Sequence, residues 1–165
     1  MTFPHRLKHC FAAALLSLSF LACGALPPPE KLHSQLAAAT KEKYPNADTV
    51  TVYDGSFVTY QPSGLYRSKA VMCVKILTEA GRKNLRSLSF HFDSEYGAYA
   101  VPAATIIKPD GSRIGIDAEK NTSVAISTRS MGDRIYSQTA KVMTLVVPQL
   151  EIGDAILLTL EYQSV

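Results

Sequence analysis

The sequence predicts a mainly β domain with an antiparallel, β-sandwich-like fold, preceded by a signal peptide and one N-terminal α-helix. The first observation is that β-branched runs recur with turn-forming residues between them, as in Thr105 to Ile114 around Pro109-Asp110-Gly111. The second is that turn signals recur about every ten residues, a spacing typical of sandwiches and barrels. The third is that no helical pattern follows Leu85, whereas a parallel α/β sheet requires crossover helices.

Residues 1–25 have the pattern of a secretory signal peptide. The segment Met1 to His9 carries Arg6 and Lys8, an uncharged apolar run follows from Cys10 to Ala22, and small residues come next. The apolar run is shorter than the roughly 20 residues that a spanning helix needs. We therefore expect an exported bacterial protein, in the periplasm or anchored at the outer membrane in the cell envelope. It would meet a membrane only through the signal or a lipid anchor.

Two cleavage sites fit this signal. Phe20-Leu21-Ala22-Cys23 resembles a lipobox, in which Cys23 would be lipidated and become the new N-terminus. The usual pattern has Leu where Phe20 stands and a small residue where Leu21 stands. The alternative is ordinary signal-peptidase cleavage after Gly24 or Ala25. Lipidated and freely secreted forms therefore both remain open, with Cys23 as the candidate modification site.

Residues 26–43 are predicted to be a proline-rich spacer followed by a helix. Leu26-Pro27-Pro28-Pro29 favours a stiff, extended conformation. Apolar residues recur at helical spacing from Glu30 to Lys43, and a proline suits the first helical turn. The helix is expected to end at Tyr44-Pro45, because the residue before a proline is pushed out of helical geometry.

Residues 44–165 are predicted to form the β domain. Its expected strands are Thr49–Tyr53, Ser56–Tyr60, Leu65–Leu77, Ser87–Phe92, Ala98–Ile107, Arg113–Ile116, a short one around Val124–Ser127, Ile135–Val147 and Ala155–Tyr162. Asp54-Gly55 reads as a hairpin turn, and Thr78–Leu85 as a short helical turn or loop. Within the long strand, the more apolar alternate set is predicted to face the core: Ser68, Ala70, Met72, Val74 and Ile76.

Charge argues against a nucleic-acid partner. The formal net charge is +3, and leaving out Arg6 and Lys8 of the signal leaves 15 basic and 14 acidic residues, a net charge of +1. A nucleic-acid-binding domain normally carries a basic stripe, and the sequence has none. The sequence also has no glycine-rich phosphate loop and no zinc-spaced Cys/His cluster, so we expect no cofactor and no metal.

Few side chains are candidates for catalysis. Cys73 lies in a strand pattern and is predicted to be a small buried apolar residue rather than a nucleophile. His91 is predicted to point away from the core, beside the paired carboxylates Asp93 and Glu95 in a turn. A general acid/base site at these three residues, in a small hydrolase or transferase, is the alternative function. The preferred interpretation is a solvated loop, with no catalytic residue in the chain.

Five segments together resemble a known family. They are Tyr44-Pro45-Asn46-Ala47-Asp48, Val74 to Gly81, Phe92 to Tyr96, Ile106 to Gly111, and Pro148 with Leu150 to Ile156. Their order and spacing resemble the bacterial domain of unknown function that precedes a transglutaminase-like, papain-type domain in exported proteins. The resemblance covers roughly Tyr44 to the C-terminus.

The resemblance implies a companion domain rather than an enzyme. In that family the papain-like Cys, His and Asp belong to the following domain, so no catalytic residue transfers to this chain. The family's domain usually continues beyond the strand that contains Leu160-Glu161-Tyr162, so the chain is expected to be truncated. We expect a non-catalytic interaction or scaffold module. Its partners would be a transglutaminase-like domain, an envelope protein or a peptide, bound by strand addition to an unpaired last strand. A degenerate fragment without independent function is a third interpretation.

Overall fold

The computed structural model describes residues 29–128 and 137–165 of the chain. Its elements are α1 (Pro29–Ala38), β1 (Thr49–Tyr60), β2 (Tyr66–Ile76), α2 (Glu79–Leu85), β3 (Ser87–Asp93), β4 (Gly97–Ile107), β5 (Arg113–Gly115), α3 (Ala118–Asn121), β6 (Thr122–Ile126), β7 (Ala140–Val146) and β8 (Ala155–Ser164). The predicted fold class is confirmed: the described residues form a mainly β domain of two antiparallel sheets with one short N-terminal helix.

The two sheets differ in size. Sheet A has five strands in the order β1-β2-β8-β4-β5, and sheet B has three in the order β3-β7-β6. Every pairing is antiparallel. The chain passes from sheet A to sheet B at α2, where the hydroxyl of Thr78 caps the helix by accepting a hydrogen bond from Gly81 N–H.

The inner face of sheet A packs against sheet B to form the main core. Its buried residues come from both sheets and the loops beside them: Ile76, Ala104, Ile106, Ile116, Leu145, Val147, Leu150, Ile156 and Leu158. Of the β2 residues expected to face the core, Ile76 belongs to this cluster and Met72 packs against it, whereas Ser68 and Ala70 line a cleft at the end of the sandwich.

The outer face of sheet A is also partly buried, beneath α1. Leu32 and Leu36 of the helix pack with Cys73 and Ala155 of the sheet in a second cluster. Lys75 donates a hydrogen bond from Nζ to the Leu36 carbonyl at 2.8 Å, which places a cation at the C-terminal end of α1. Strand β2 is therefore covered on both faces in this region, beyond the one-sided burial that its alternation predicts.

Two local predictions were wrong. Asp54-Gly55 is not a turn, because β1 runs unbroken from Thr49 to Tyr60 and Asp54 pairs with Met72. Gly55 instead makes room for an aromatic ring, since a Cβ there would lie 2.7 Å from the Tyr53 hydroxyl. The N-terminal helix begins in the predicted place but ends at Ala38, five residues before Lys43.

The prediction of an unpaired last strand was also wrong. β8 lies in the middle of sheet A and pairs with β2 on one side and β4 on the other. Its backbone groups are therefore used within the sheet, so the strand is not available for addition of a partner strand. The edges of the described sheets are β1 and β5 in sheet A, and β3 and β6 in sheet B.

Candidate functional site

One end of the space between the sheets is open and forms a cleft of about 660 Å³. Among the described residues, the pairing of β3 with β7 ends at Asp93 and Ala140, whereas β2 and β8 of sheet A continue to Tyr66 and Ser164. The longer sheet thus overhangs the shorter one. The cleft is lined by Val58, Tyr60, Tyr66, Ser68, Ala70, His91, Phe92, Asp93, Tyr96, Tyr99, Leu160 and Tyr162.

Tyrosines dominate this cleft, and we call it the tyrosine cleft. Five of the tyrosines in the described part of the chain line it: Tyr60, Tyr66, Tyr96, Tyr99 and Tyr162. Four of these rings touch in series: the centroid of Tyr66 lies 5.8 Å from that of Tyr60 and 5.6 Å from that of Tyr162. The Tyr162 ring lies 5.0 Å from Tyr99, which meets Phe92 edge-on at 5.9 Å. All of these rings are tilted or perpendicular, so they form a ridged wall and not a flat platform.

Strand register places these rings on one face. Ser68 pairs with Tyr162, and Tyr162 pairs with Tyr99, so the three side chains form a row across β2, β8 and β4. Gly97 leaves the space that the Tyr162 ring occupies, because a Cβ there would meet both the ring and the Gln163 carbonyl. The position of Tyr162 therefore depends on a glycine in the neighbouring strand.

The hydroxyl of the buried residue Ser164 holds Tyr66, another tyrosine of this wall, in place. Ser164 Oγ accepts a hydrogen bond from Tyr66 N–H at 2.7 Å and donates one to the Tyr66 carbonyl at 3.1 Å. The side chain thus satisfies both backbone groups of Tyr66, one residue beyond the last β2–β8 pair of Arg67 with Gln163. This arrangement holds the start of β2 against β8, where the floor of the cleft lies.

The polar groups of the cleft are mainly hydroxyls, with one carboxylate. Asp93 Oδ1 accepts a hydrogen bond from Glu95 N–H at 3.0 Å, and Oδ2 accepts one from the Thr139 hydroxyl at 3.0 Å. Burial raises the pKa of the Tyr162 hydroxyl above its ordinary value, and its neighbours Tyr66, Tyr99 and Asp93 raise it further. The hydroxyl is therefore a protonated donor throughout the neutral range.

The three residues of the alternative catalytic site are only partly brought together. His91 and Asp93 both border the cleft, whereas Glu95 is exposed and is not among the lining residues. The His91 ring is also exposed, and its Nδ1 lies 3.3 Å from the Ser127 hydroxyl. The described hydrogen bonds of Asp93 go to Thr139 and to the backbone of Glu95, and they hold the turn between β3 and β4. Their arrangement is that of a structural turn beside a cleft.

Cys73 is fully buried, as the strand pattern indicated. It is a free thiol at 0% exposure under α1. Burial raises the pKa of this thiol from 9.0 to about 11, so it stays protonated at neutral pH. Among residues 29–128 and 137–165, no group of three or more His, Cys, Asp or Glu side chains could hold a metal ion.

A buried ion pair at the far end of sheet A was missed by sequence reasoning. Asp154 is 0% exposed, and its Oδ2 accepts hydrogen bonds from Lys108 Nζ at 3.0 Å and Glu151 N–H at 2.8 Å. The hydrogen bond that Lys108 donates to Glu151 raises the pKa of Lys108 most, and its hydrogen bond to Asp154 raises this pKa further. No sequence motif indicates this pair, because Lys108 stands 46 residues before Asp154, next to another turn. The pair joins the Pro109-Asp110-Gly111 turn to the start of β8.

The tyrosine cleft was missed as well. Its residues stand near the ends of separate strands and form no motif along the chain. One signal was available: Tyr66, Tyr99 and Tyr162 each occupy an inward position of a predicted strand, where aliphatic residues would be expected.

The predictions for the N-terminus lie outside the described residues. They are the signal peptide of residues 1–25, lipidation of Cys23, and the spacer at residues 26–28. Within the described part of the chain, none of the helices has the length and apolar character needed to span a bilayer.

Solved structures support the fold. A putative protease from Parabacteroides distasonis ATCC 8503 superposes with a TM-score of 0.62 at 13% identity, over 72% of this chain. The chain spans only 23% of the length of that protein. Two structures of the family 3a carbohydrate-binding module from the scaffoldin CipA of Clostridium thermocellum align with TM-scores of 0.40 and 0.35, both at 11% identity. They cover 71% of this chain, and 68% and 74% of the respective modules.

Sequence comparison identifies the family. No curated protein shows significant sequence similarity to the chain. The profile of a domain of unknown function with a solved structure, DUF3857, matches residues 63–164, which is more than half of the chain. The match covers β2 to β8, and therefore both sheets except the edge strand β1. The chain belongs to the DUF3857 family.

Proposed function

We propose that this domain is a non-catalytic binding module of an exported protein, and that the tyrosine cleft is its binding surface. One observation carries the proposal: in the described part of the chain, the inward face of sheet A extends past the paired part of β3 and β7, and this extension is lined with aromatic rings. Tyr60 is 72% exposed, Tyr96 is 67% exposed and Val58 is 47% exposed. A group of large exposed side chains around a concave surface is typical of an interaction site.

The chemistry of the cleft favours binding over catalysis. The raised pKa of Tyr162 keeps its hydroxyl protonated, and the Asp93 carboxylate already accepts two hydrogen bonds. A nucleophile activated by a base would need two such side chains in mutual hydrogen-bond contact. The described contacts of His91 and Asp93 lead to Ser127 and Thr139 instead of to each other.

The proposed context is a larger exported protein or complex with a transglutaminase-like or protease-type domain. The likeness to part of the Parabacteroides protein supports this context, as does the family resemblance of the five segments. The cleft would then present a peptide or an envelope component near a catalytic domain supplied by the rest of that protein or by a partner.

A site-specific cross-linking experiment tests the binding surface. A photoreactive phenylalanine analogue replaces Tyr60 at the rim of the cleft, and in a matched control it replaces Val146, which is 48% exposed on β7 outside the cleft. After irradiation in the native host, we expect discrete adducts from position 60 alone, and their loss on adding Tyr162→Ala. Equal adducts from both positions would contradict the proposal.

A hydrolysis assay tests the absence of catalysis. The purified full chain is offered ester and peptide substrates, and we expect turnover no faster than in buffer. Activity that disappears in His91→Ala or Asp93→Asn would instead support the hydrolase or transferase alternative.

Export and lipidation are tested together. A radiolabelled fatty acid is fed to cells that express the full chain or its Cys23→Ala variant. Label in the first and none in the second supports the lipid-anchored form, and processing without label supports ordinary cleavage after Gly24 or Ala25.

A further inference from the structure

We infer that the tyrosine cleft takes a proline-rich peptide in the polyproline II conformation, with a basic residue beside its proline run. The inference rests on the proposed binding function and specifies the ligand. It follows from three properties of the cleft: the shape of its wall, the kind of hydrogen-bonding groups that it offers, and the sign of its charge.

The wall has the shape that such a ligand requires. Neighbouring ring centroids along Tyr60, Tyr66, Tyr162 and Tyr99 are 5.0 to 5.8 Å apart, and their planes are tilted by 34° to 59°. Tilted rings form ridges with grooves between them, into which the puckered rings of successive prolines fit. Proline-rich segments are bound in aromatic-lined grooves of this kind in other proteins, because the ligand is already ordered before it binds.

The hydrogen-bonding groups are complementary to a polyproline II backbone. Such a backbone has no internal hydrogen bonds, so its carbonyls remain free acceptors, and proline has no N–H to donate. The ligand therefore needs donors from the protein. The hydroxyls of the cleft tyrosines and of Ser68 supply them, and the raised pKa of Tyr162 keeps its proton in place.

Among the described residues, the carboxylates at the mouth of the cleft give it an acidic character. Asp93 lines it, and Glu95 follows in the adjoining turn. No lysine or arginine is among the lining residues of the described chain. Asp93 has one hydrogen bond on each carboxylate oxygen, and a carboxylate can accept about four, so capacity remains for an incoming cation. An arginine or lysine of the ligand, beside its proline run, would form an ion pair with Asp93.

A neutral glycan is the competing ligand, and the cleft suits it less well. Sugar hydroxyls both donate and accept, so a glycan site needs acceptor side chains as well as donors. The tyrosine and serine hydroxyls can accept as well as donate, but the described lining has only two side chains with planar polar groups, His91 and Asp93, and Asp93 is already engaged by Thr139 and Glu95. The tilted rings also lack the common plane on which a flat polysaccharide surface would rest.

Titration of the full chain with defined probes tests the inference. The probe is an acetylated and amidated peptide of eight prolines followed by one arginine, and binding is followed by the tyrosine fluorescence of the protein. We expect saturable binding. We expect affinity to fall at least about tenfold when the prolines become alanines, because ordering the chain then opposes binding. Replacing the arginine by glutamate is expected to weaken binding by about two- to fivefold, as for a surface ion pair.

Two protein variants locate the binding. Tyr162→Phe keeps the ring and removes one donor, so the affinity for the proline peptide is expected to fall about three- to tenfold. The control Val146→Ser, on the exposed part of β7 outside the cleft, is expected to bind like the unmodified protein. Circular dichroism confirms that both variants are folded.

The alternative outcomes separate this inference from the proposed function. If chitotetraose binds and Tyr162→Phe weakens it, while the proline peptide does not bind, the ligand class is wrong and the binding function stands. If the proline peptide binds equally well to the unmodified protein and to Tyr162→Phe, its site lies elsewhere and the inference fails. If neither probe binds, the inference also fails, and cross-linking from position 60 then decides whether the cleft binds anything.

Discussion

The two ends of the space between the sheets are built by the same strands and have opposite character. At one end Leu158 of β8 is 1% exposed and packs in a core of aliphatic side chains. Four residues later in the same strand, Tyr162 lines an open cleft. The difference comes from the lengths of the described strands, because β3 ends at Asp93 while β8 continues to Ser164. A single strand can thus contribute to both a packed core and a concave surface.

The largest expected effect contrasts two leucines of β8. Leu158→Ala removes a fully packed side chain and leaves a cavity, so the free energy of unfolding should fall by about 2–5 kcal/mol. Leu160 borders the cleft and is only partly buried, so Leu160→Ala leaves a smaller closed cavity and the loss should be roughly half of that or less. Urea unfolding followed by circular dichroism measures both. Equal losses would show that the cleft is closed in solution.

A second comparison concerns the glycine that admits Tyr162. Gly97→Ala places a Cβ against the Tyr162 ring and the Gln163 carbonyl, and the overpacking should lower the free energy of unfolding by about 1–3 kcal/mol. Gly115→Ala is the matched control, because no atom lies within 4 Å of its added Cβ. The control should change stability by less than about 0.5 kcal/mol. A neutral Gly97→Ala would mean that the Tyr162 ring does not occupy this place.

Alkaline pH should weaken the domain through two groups, the Cys73 thiol beneath α1 and the Tyr162 hydroxyl in the cleft. The pKa of Cys73 in the folded state is raised from 9.0 to about 11, and that of Tyr162 is raised above 10.0. The unfolded state therefore loses these protons first, so stability is fully present below pH 9 and falls as pH rises toward 11. Urea midpoints between pH 8 and pH 11 measure this fall. Cys73→Ala should reduce the fall in stability that begins near pH 9. Tyr162→Phe should reduce the fall in stability above pH 10. A decline unchanged in both variants would contradict the assignment.

The smallest effect is expected on the outer face of sheet A behind the cleft. Lys69 Nζ and Glu161 Oε1 are 4.0 Å apart and both side chains are substantially exposed. Solvent and salt screen such a pair, so Glu161→Gln should change the free energy of unfolding by less than about 0.5 kcal/mol. The same urea assay at low and high salt checks it. A loss above about 1 kcal/mol would show that this exposed ion pair contributes more to the free energy of unfolding than a screened surface pair does.

Local turn chemistry explains why most of the fold could be predicted. The turn at Gln61 to Gly64 and the one at Pro109 to Gly111 lie where expected, and their glycines have φ values of +88° and +86°. The Asp54-Gly55 prediction failed because tertiary packing used the glycine for the Tyr53 ring and β1 continued through it. The strand signals on either side were right, and only their separation by a turn was wrong.

The cleft could not be predicted because it depends on distances between elements. Nothing along the chain states that β8 lies between β2 and β4, or that sheet B is shorter than sheet A. Strand addition was predicted at the last strand, β8, and this prediction failed because β8 lies in the centre of sheet A. The inward positions of Tyr66, Tyr99 and Tyr162 were visible as a pattern, but their convergence required the sheet order.

The central position of β8 has a consequence for how the chain folds. Sheet A cannot close until residues 155–164 are available, because β2 and β4 make no pairing with each other and meet only through β8. During synthesis the earlier strands therefore cannot complete sheet A. Arg67 can pair with Gln163 only after the long intervening part of the chain has been made. Such non-local pairing predicts slow folding with high contact order.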